Sequence, residues 1–363
     1  MTRQNNRPRF WTKLHDFAHK HPAATYALAG LGLIIIASLV TLALLYERPV
    51  EVETKPEVKT VIKKPEPVFY SPLTGMKVDD EKATKQPVTA IMIENSPDAR
   101  PQSGLRDAGV VYEAIAEGGI TRFLALYQEA KPSLIGPVRS VRMYYVDWLA
   151  PYNPSVAHVG GSAAALAEVR SGNYRDIDQF FNANTYWRAT DRYAPHNVYT
   201  DFKHLDALNK EKGYTSSAFT GFNRKDGKAA KTPTASTITI NFSSFLFNTE
   251  YKYDKKSNTY TRSQAGAPHT DREKGSIKPS VVIAMNVDMH LVMEDGARES
   301  IKTTGSGKAT IFQDGKAINA TWKKSSRKGQ LQFVDEKGDD IALNRGQTWI
   351  AAIPNGSGSV SWE

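Results

Sequence analysis

The strongest feature of the hydropathy pattern is an apolar run near the amino terminus. Residues Ala23 to Leu45 include no charged side chain, and a helix needs roughly 20 such residues to span a bilayer. The run is apolar on every side of a helix, unlike a helix that packs one face against a core. It predicts a transmembrane helix over residues 23–46, preceded by a tail of residues 1–22.

The charges on either side of this run predict its orientation. Five basic residues and one aspartate precede it, whereas acidic and basic residues mix after it. By the positive-inside rule the tail is cytoplasmic and the main part of the chain is extracytoplasmic. A cleaved signal peptide is the alternative, but its apolar core would be about 7–15 residues long and would end at small residues. This run ends in Leu-Leu-Tyr-Glu-Arg-Pro, which favours a retained single-pass anchor in the cell membrane.

Beyond the run, residues 47–68 alternate Lys, Glu, Val and Pro, and four prolines block regular structure. This composition predicts a semi-rigid linker.

Over residues 69–222, short apolar segments alternate with helical patterns. Strands are predicted at Val88 to Ile93, Phe123 to Gln128 and Ser155 to Val159, and helices at Ala108 to Ala116, Ala163 to Arg170 and Phe202 to Glu211. The alternation predicts a layered α/β amino-terminal domain.

The pattern changes after a connection at residues 223–234, which is rich in Lys, Gly and Pro. Residues 235–363 predict a mostly β domain with hairpin turns at Asp314-Gly315 and Glu336-Lys337-Gly338. Its strands are predicted at 237–242, 250–253, 259–262, 280–287, 309–312, 317–322, 331–334 and 349–353. The fold class is therefore α+β, behind a single transmembrane helix.

Composition excludes several chemistries. The chain has no cysteine, so disulfides, thiolate metal sites and lipid attachment to cysteine are ruled out. The tail accounts for +4 of the net charge of +9, which leaves a modest +5 outside. This excess predicts no nucleic-acid binding, and it suits acidic envelope polymers or lipid head groups.

Arginines are concentrated between residues 94 and 197, beside glycines and short helix starts. They are accompanied by two histidines, a serine and an asparagine, a combination typical of a site for an anionic group. The residues are Arg100, Arg122, Arg139, Arg142, Arg188 and Arg192, with His158, Ser162, His196 and Asn197.

Six motifs in this region together resemble the DUF3048 (YerB-like) family. They are Glu94-Asn95, Arg100 to Gly104, Glu117 to Phe123, Gly136 to Arg142, His158 to Ser162 and Ala194 to Asn197. Later runs such as Gly346 to Ile350 resemble its carboxy-terminal domain. The resemblance implies a bacterial envelope protein with a mixed amino-terminal domain and a β-rich partner, in a family of unknown function often met as lipoproteins. This chain departs from the lipoproteins because it lacks cysteine.

The motif His158-Val-Gly160-Gly161-Ser162 follows a strand and precedes a helix. Ser162 is a natural N-cap, and the free N–H groups behind it can bind phosphate or carboxylate. A capped turn with nothing bound is the equal alternative.

Arg139 and Arg142 follow the turn at Gly136-Pro137. They can clamp one anion if the segment begins a helix, or they can pair with Glu94, Glu113 or Glu117 as structural arginines.

The motif around His196 offers a second set of polar groups. Asn197 can donate to an oxyanion and His196 can move a proton near neutral pH. Taken alone, an aromatic surface loop is the plainer interpretation.

Other matches are weaker. Gly160 to Ala164 imitates a nucleophile elbow but lacks its last glycine. Thr304 to Thr310 imitates a phosphate loop but lacks the first glycine, and it is predicted to be a hairpin loop. The histidines show no metal spacing, so no metal site is assigned, although oxygen ligands such as Glu94, Asp178 and Asp271 leave one open. No cofactor is indicated.

The leading hypothesis is a membrane-anchored module that binds a phosphate-bearing lipid or wall polymer in an Arg/His/Ser cleft. The predicted ligand-binding residues are Glu94, Asn95, Arg100, Arg122, Arg139, Arg142, Gly160, Gly161, Arg192 and Asn197. A second hypothesis is an envelope hydrolase or transferase acting on phosphodiester or glycosyl-phosphate bonds, with His158, Ser162 and His196 as catalytic residues. A third is a scaffold for envelope proteins that uses edge strands of the β-rich domain and its exposed aromatic residues, predicted to be Tyr251, Tyr253 and Tyr260.

Overall fold

The computed structural model describes residues 9–46, 67–292 and 298–363. The chain divides into two units between residues 65 and 66. Most of the predicted linker, residues 47–66, and the first eight residues of the predicted tail lie outside the described residues.

Six α-helices are formed by the described residues. They are α1 (Arg9–Lys20), α2 (Pro22–Leu45), α3 (Glu81–Thr84), α4 (Met143–Leu149), α5 (Ala163–Val169) and α6 (Phe202–Glu211). Short 3-10 helices lie at Pro97–Ala99, Leu105–Asp107, Ala150–Tyr152, Ala183–Thr185 and Phe245–Phe247. α2 is long and apolar enough to cross a membrane, and it buries no residue. α1 lies within the predicted tail, where the sequence pattern alone predicts no helix.

The strands, in chain order, are β1 (Phe69–Tyr70), β2 (Lys77–Val78), β3 (Thr89–Glu94), β4 (Val110–Glu117), β5 (Ile120–Tyr127), β6 (Ser155–Ala157), β7 (Arg175–Asp176), β8 (Trp187–Arg188), β9 (Val198–Tyr199), β10 (Arg224–Lys225), β11 (Thr237–Asn241), β12 (Thr249–Asp254), β13 (Thr259–Gln264), β14 (Ala267–Pro268), β15 (Thr270–Asp271), β16 (Gly275–Ser276), β17 (Val281–Val287), β18 (Met289–Val292), β19 (Arg298–Ile301), β20 (Gly305–Gln313), β21 (Lys316–Lys324), β22 (Gln332–Val334), β23 (Leu343–Asn344), β24 (Thr348–Pro354) and β25 (Ser359–Trp362).

Ten of these strands form one large mixed sheet. Its order is β22, β21, β20, β17, β24, β4, β5, β3, β6, β7. The carboxy-terminal β24 pairs in parallel with the amino-terminal β4, so strands of both predicted domains share this sheet. The mixed α+β class is confirmed, and the two-domain layout is confirmed only in part, because residues 66–363 form one compact unit.

Each face of the large sheet carries its own hydrophobic cluster, because successive side chains of a strand point to opposite faces. Met92 and Ile350 belong to one cluster, and Ile91 and Trp349 belong to the other. Both clusters therefore contain residues from the two halves of the folded region.

A second sheet of five strands, in the order β14, β13, β12, β11, β25, belongs to the carboxy-terminal half. Tyr251 and Tyr260 were predicted to be exposed aromatics of this half, and that prediction is wrong. Both rings are completely buried, because they project into the core from β12 and β13. Tyr253 is partly exposed.

Two predicted elements are also corrected. Ala108 to Ala116 was predicted to be a helix, but residues Val110–Glu117 form β4 in the middle of the large sheet. Thr304 to Thr310 was predicted to be a hairpin loop, but most of it belongs to the long strand β20. In both segments the pairing with neighbouring strands outweighs the local pattern.

Candidate functional site

The predicted motifs meet at one end of the large sheet. β3 and β6 are parallel, and both lead into predicted motifs at their carboxyl ends. The segment 138–141 crosses there, since Val138 bridges to Ile93 and Val141 bridges to Gly161. The crevice outside the carboxyl ends of strands is where open α/β sheets place their ligands.

Glycines allow the chain to pass through this crossing. Gly160 has a φ of +62°, a conformation that residues with a side chain rarely adopt. A Cβ on Gly161 would lie only 2.8 Å from Cγ1 of Val141. The two glycines thus serve the close approach of two backbone segments.

Glu94, at the end of β3, organises the first group of polar side chains. Its Oε1 lies 3.2 Å from Nε of Arg139, and its Oε2 lies 2.9 Å from Nδ1 of His196. Oγ of Ser96 is 3.1 Å from the same Nδ1. Glu94 is buried, while about a quarter of the side chains of Arg139 and His196 is exposed. This arrangement holds the imidazole through Nδ1, and among the described residues its Nε2 has no hydrogen-bond partner.

The neighbouring arginines bond to uncharged oxygens. Arg100 donates to the side-chain and backbone oxygens of Asn95 and to the carbonyl of Leu246. Arg192 donates to the carbonyls of Asp98 and Pro101. Burial, followed by repulsion from Arg262, lowers the pKa of Arg100 to about 10, so this arginine keeps its charge near neutral pH.

Asn197 bonds in the same way to the loop around it. Its side chain accepts from Arg188 and donates to the carbonyls of Ala189 and Arg192. Asn95 is completely buried and donates to Thr121. Both asparagines therefore hold the loops that carry the arginines, and neither directs a free amide outward.

Glu117 organises a second group. Arg122 donates to one of its oxygens and Arg142 to the other. Burial opposes ionisation of Glu117, but the two arginines outweigh burial and hold the pKa of this carboxyl below its usual range. Arg142 and Arg139 therefore have different carboxylate partners, and the structure pairs each of them as the structural alternative anticipated.

His158 lies in a third group, completely buried. Its Nδ1 is 2.8 Å from the carbonyl of Gly160, and its Nε2 is 2.9 Å from Oδ1 of Asp176. Both ring nitrogens are therefore engaged. Asp178 accepts from the N–H of Gly160 and from Arg170.

Ser162 caps α5 as predicted, with its Oγ accepting from the N–H of Ala165 at 3.4 Å. Ser162 is buried, and it lines a pocket of about 250 Å³ together with Arg142, Asp147 and Glu299. Burial raises the pKa of Glu299. This pocket thus combines charges of both signs.

The candidate oxygen ligands for a metal lie in separate networks. Asp271 accepts from the N–H groups of Arg106, Glu273 and Lys274, away from the partners of Glu94 and Asp178. Across residues 9–46, 67–292 and 298–363, no three His, Asp or Glu side chains are grouped to hold a metal ion.

Sequence reasoning did not select Ser96 or Asp176 as site residues. Ser96 directly follows the Glu94-Asn95 motif, so adjacency was the available signal. Asp176 shares β7 with Arg175, and nothing in its local pattern links it to His158.

Comparisons with known proteins agree with the predicted resemblance. The model of the "Protein of unknown function (DUF3048) N-terminal domain" matches residues 73–215, and that of the corresponding C-terminal domain matches residues 238–350. The chain is 34% identical over 290 residues to "Putative lipoprotein YerB" of Bacillus subtilis (strain 168), covering 78% of this chain and 86% of the relative. A crystal structure of the YerB protein from Bacillus subtilis superposes with a TM-score of 0.72 at 31% identity, covering 81% of this chain and 99% of the other. The resemblance predicted from the motifs is confirmed.

Proposed function

The chain belongs to the DUF3048 family, and from this premise we propose that it is a single-pass membrane protein with a cytoplasmic amino terminus and an extracytoplasmic folded region. We propose further that the folded region binds a phosphate-bearing group of the cell envelope, carried by a lipid or a wall polymer. The apolar α2 and the lipoprotein relative support anchoring. A transmembrane helix takes the place that a lipidated cysteine has in lipoproteins.

The observation that carries the binding proposal is an excess of arginine charge around Glu94. Among the described residues, Arg100, Arg188 and Arg192 bond to carbonyl and amide oxygens and form no ion pair with a carboxylate. Arg139 shares the single carboxylate of Glu94 with His196. These four arginines thus have a single carboxylate partner among the described residues, and an anion would supply further counter-charge.

In this proposal Arg139 and His196 contact the anion directly. Within the described part of the chain, the terminal guanidinium nitrogens of Arg139 have no hydrogen-bond acceptor, and neither has Nε2 of His196. Both side chains are partly exposed beside the same buried carboxylate. A planar guanidinium can hold two oxygens of a phosphate at once.

Exposed apolar side chains beside these arginines favour a lipid as the carrier of the phosphate. Leu246, whose carbonyl accepts from Arg100, is exposed together with Phe245. Tyr193, next to Arg192, is 90% exposed. Aromatic side chains next to basic ones are typical of surfaces that meet the head-group region of a bilayer.

The test measures binding by the full chain in phosphatidylcholine nanodiscs. Soluble poly(glycerol phosphate) is titrated in one arm, and phosphatidylglycerol is added to the nanodiscs in the other, with crosslinking to the head group as the readout. Arg139→Gln and Arg192→Gln are each expected to weaken binding roughly tenfold, because a hydrogen bond to a charged group contributes about 1.5–3 kcal/mol.

Lys337→Gln is the matched control, since it removes the same charge from an exposed turn of the carboxy-terminal half. Thermal unfolding of each variant checks that the fold is intact. Binding that the two arginine variants leave unchanged, or that Lys337→Gln weakens equally, would overturn the proposed site.

A second candidate function is acid–base catalysis at the same surface, and the contact between Glu94 and His196 favours it. A carboxylate on Nδ1 orients an imidazole whose Nε2 can take a proton from water or give one to a leaving oxygen. His196→Gln would then abolish turnover of phosphodiester or glycosyl-phosphate substrates and leave binding within a few-fold. Equal turnover by the variant and the unmodified chain would contradict catalysis by His196.

A further inference from the structure

The helix that precedes the membrane span has two chemically distinct sides. At 100° per residue, the large apolar side chains of α1 share one arc. They are Phe10, Trp11, Leu14 and Phe17, and between 44% and 66% of each is exposed. About half of the surface of these side chains is therefore open to an apolar partner. An arc of this kind on a short helix calls for an apolar partner.

The opposite side of α1 is polar and basic. Lys13 and Lys20 lie there with His19, against the single carboxylate Asp16. The lysines lie next to the apolar arc, where their long side chains can extend towards a head-group region. The charge of this side complements an anionic surface.

Connectivity places this helix beside the bilayer. Only His21 separates α1 from α2, and its backbone, with φ −137° and ψ 69°, is not helical, so the chain changes direction there. The two helices line a common cleft of about 720 Å³, to which Trp11 and Leu14 of the apolar arc, the polar Thr12 and Asp16, and Leu28 of α2 contribute. Trp11 and Leu14 therefore face the same space as the first turns of the membrane span.

We infer that α1 is an interfacial helix that lies in the cytoplasmic leaflet, with its apolar arc among the acyl chains and its lysines at anionic lipid head groups. The occupant of the apolar arc is the lipid of the surrounding bilayer. The inference rests on the membrane anchor of the proposed function. Helices of this type bury their apolar face roughly 5–10 Å below the head groups.

The absence of cysteine from the chain makes the test direct. Single cysteines are introduced by Leu14→Cys on the apolar arc, Thr12→Cys on the polar side and Ile35→Cys inside α2, and each carries a nitroxide label. The full chain is reconstituted in vesicles of phosphatidylcholine with and without phosphatidylglycerol. Collisions of each label with oxygen and with a water-soluble nickel chelate are then measured.

We expect the label at position 14 to meet oxygen and to be shielded from nickel, at a depth of roughly 5–10 Å. The label at position 12 should collide readily with the nickel chelate and less often with oxygen than the label at position 14. Omission of phosphatidylglycerol should lower the immersed fraction at position 14, and an unchanged fraction would overturn the role of the lysines.

Two results would overturn the inference itself. Labels at positions 12 and 14 that both meet nickel would place α1 in water. A label at position 14 shielded from both reagents would mean that protein, such as a second copy of the chain, covers the arc. The label at position 35 separates these failures from failure of the anchor, because it stays deep as long as α2 spans the bilayer.

Discussion

Arg262 carries its charge in the interior of the folded region, and its neighbours determine how that charge is tolerated. It is completely buried, pairs with Glu113 at 2.8 Å and lies over the ring of Trp349. It also donates to Nδ1 of His269, whose Nε2 lies 2.8 Å from the side-chain oxygen of Gln102. His269 must therefore be neutral, with its proton on Nε2. Burial, followed by repulsion from Arg262, lowers the pKa of His269 well below its usual value.

This neutral histidine predicts a loss of stability in mild acid. The unfolded chain takes up a proton on His269 near pH 6.5, whereas the folded chain does not, so stability is full above about pH 6.5 and falls as the pH decreases below it. The contribution is up to about 1.4 kcal/mol per pH unit. Glutamine keeps one donor and one acceptor but does not titrate. His269→Gln should therefore remove this contribution to the pH dependence of stability.

Urea unfolding of the unmodified chain and of His269→Gln, compared between about pH 7 and about pH 5, measures the difference. Glu117 does not interfere, because its lowered pKa places its own loss of stability at more acidic pH. Parallel pH profiles for the two proteins would show that His269 takes up its proton in the folded state.

At this scale the sequence predicted the types of site residue better than their partners. The arginine pairs with Glu94 and Glu117 were anticipated as an alternative, because those acids stand in the same motifs. The bond between His158 and Asp176 was not anticipated, since it depends on the parallel pairing of β6 and β7. Whether an arginine meets a carboxylate or a carbonyl is decided by tertiary packing, which local patterns do not contain.

At the scale of elements, burial on one face or on two decides what the sequence can predict. In β11 and β13 buried and partly exposed residues alternate, and the period of two predicted both strands. Seven of the eight residues of β4 are buried. Without alternation, its alanines and glutamates gave a helical pattern, and a strand covered on both faces cannot be distinguished from a helix by period alone.

The hairpin between β20 and β21 yields a prediction about a turn. Asp314 and Gly315 have φ of 58° and 74°, which confirms the positive φ predicted from this Asp-Gly pair. A Cβ on Gly315 would also lie 2.5 Å from the ring of Tyr253. Gly315→Ala should therefore cost about 1–2 kcal/mol for its backbone conformation and about 1–3 kcal/mol more for the contact.

Gly338→Ala is the matched control for that turn. Gly338 also has a positive φ, 91°, but a Cβ there meets no atom within 4 Å. Urea unfolding should show a clearly larger loss of stability for Gly315→Ala than for Gly338→Ala. Equal losses would mean that the ring of Tyr253 moves aside without cost.

At the scale of the whole molecule, the large sheet contains strands from both of the domains that the sequence predicts. Val110 of β4 pairs with Thr348 of β24, and Glu113 of β4 pairs with Arg262 of β13. The five-stranded sheet comes after the predicted change of pattern at residues 223–234, although Arg224 and Lys225 within that segment form β10, which pairs with β23. The sequence shows such a change of pattern, but it does not show which strands of the two regions pair with each other.

The shared sheet predicts that the halves do not fold independently. Residues 67–222 alone would expose the β4 edge, both hydrophobic clusters and the unpaired carboxylate of Glu113, and breaking a buried ion pair costs about 3–5 kcal/mol. We expect 67–222 and 223–363, each expressed alone, to lack a cooperative thermal transition, and their co-expression to restore one. As a control, a protease site inserted in residues 67–363 between Lys228 and Thr234 should be cleavable without dissociation, since the paired strands still hold the halves together. A cooperative transition of 67–222 alone, at the temperature of the uncut region, would instead establish two autonomous domains that meet only through β4 and β24.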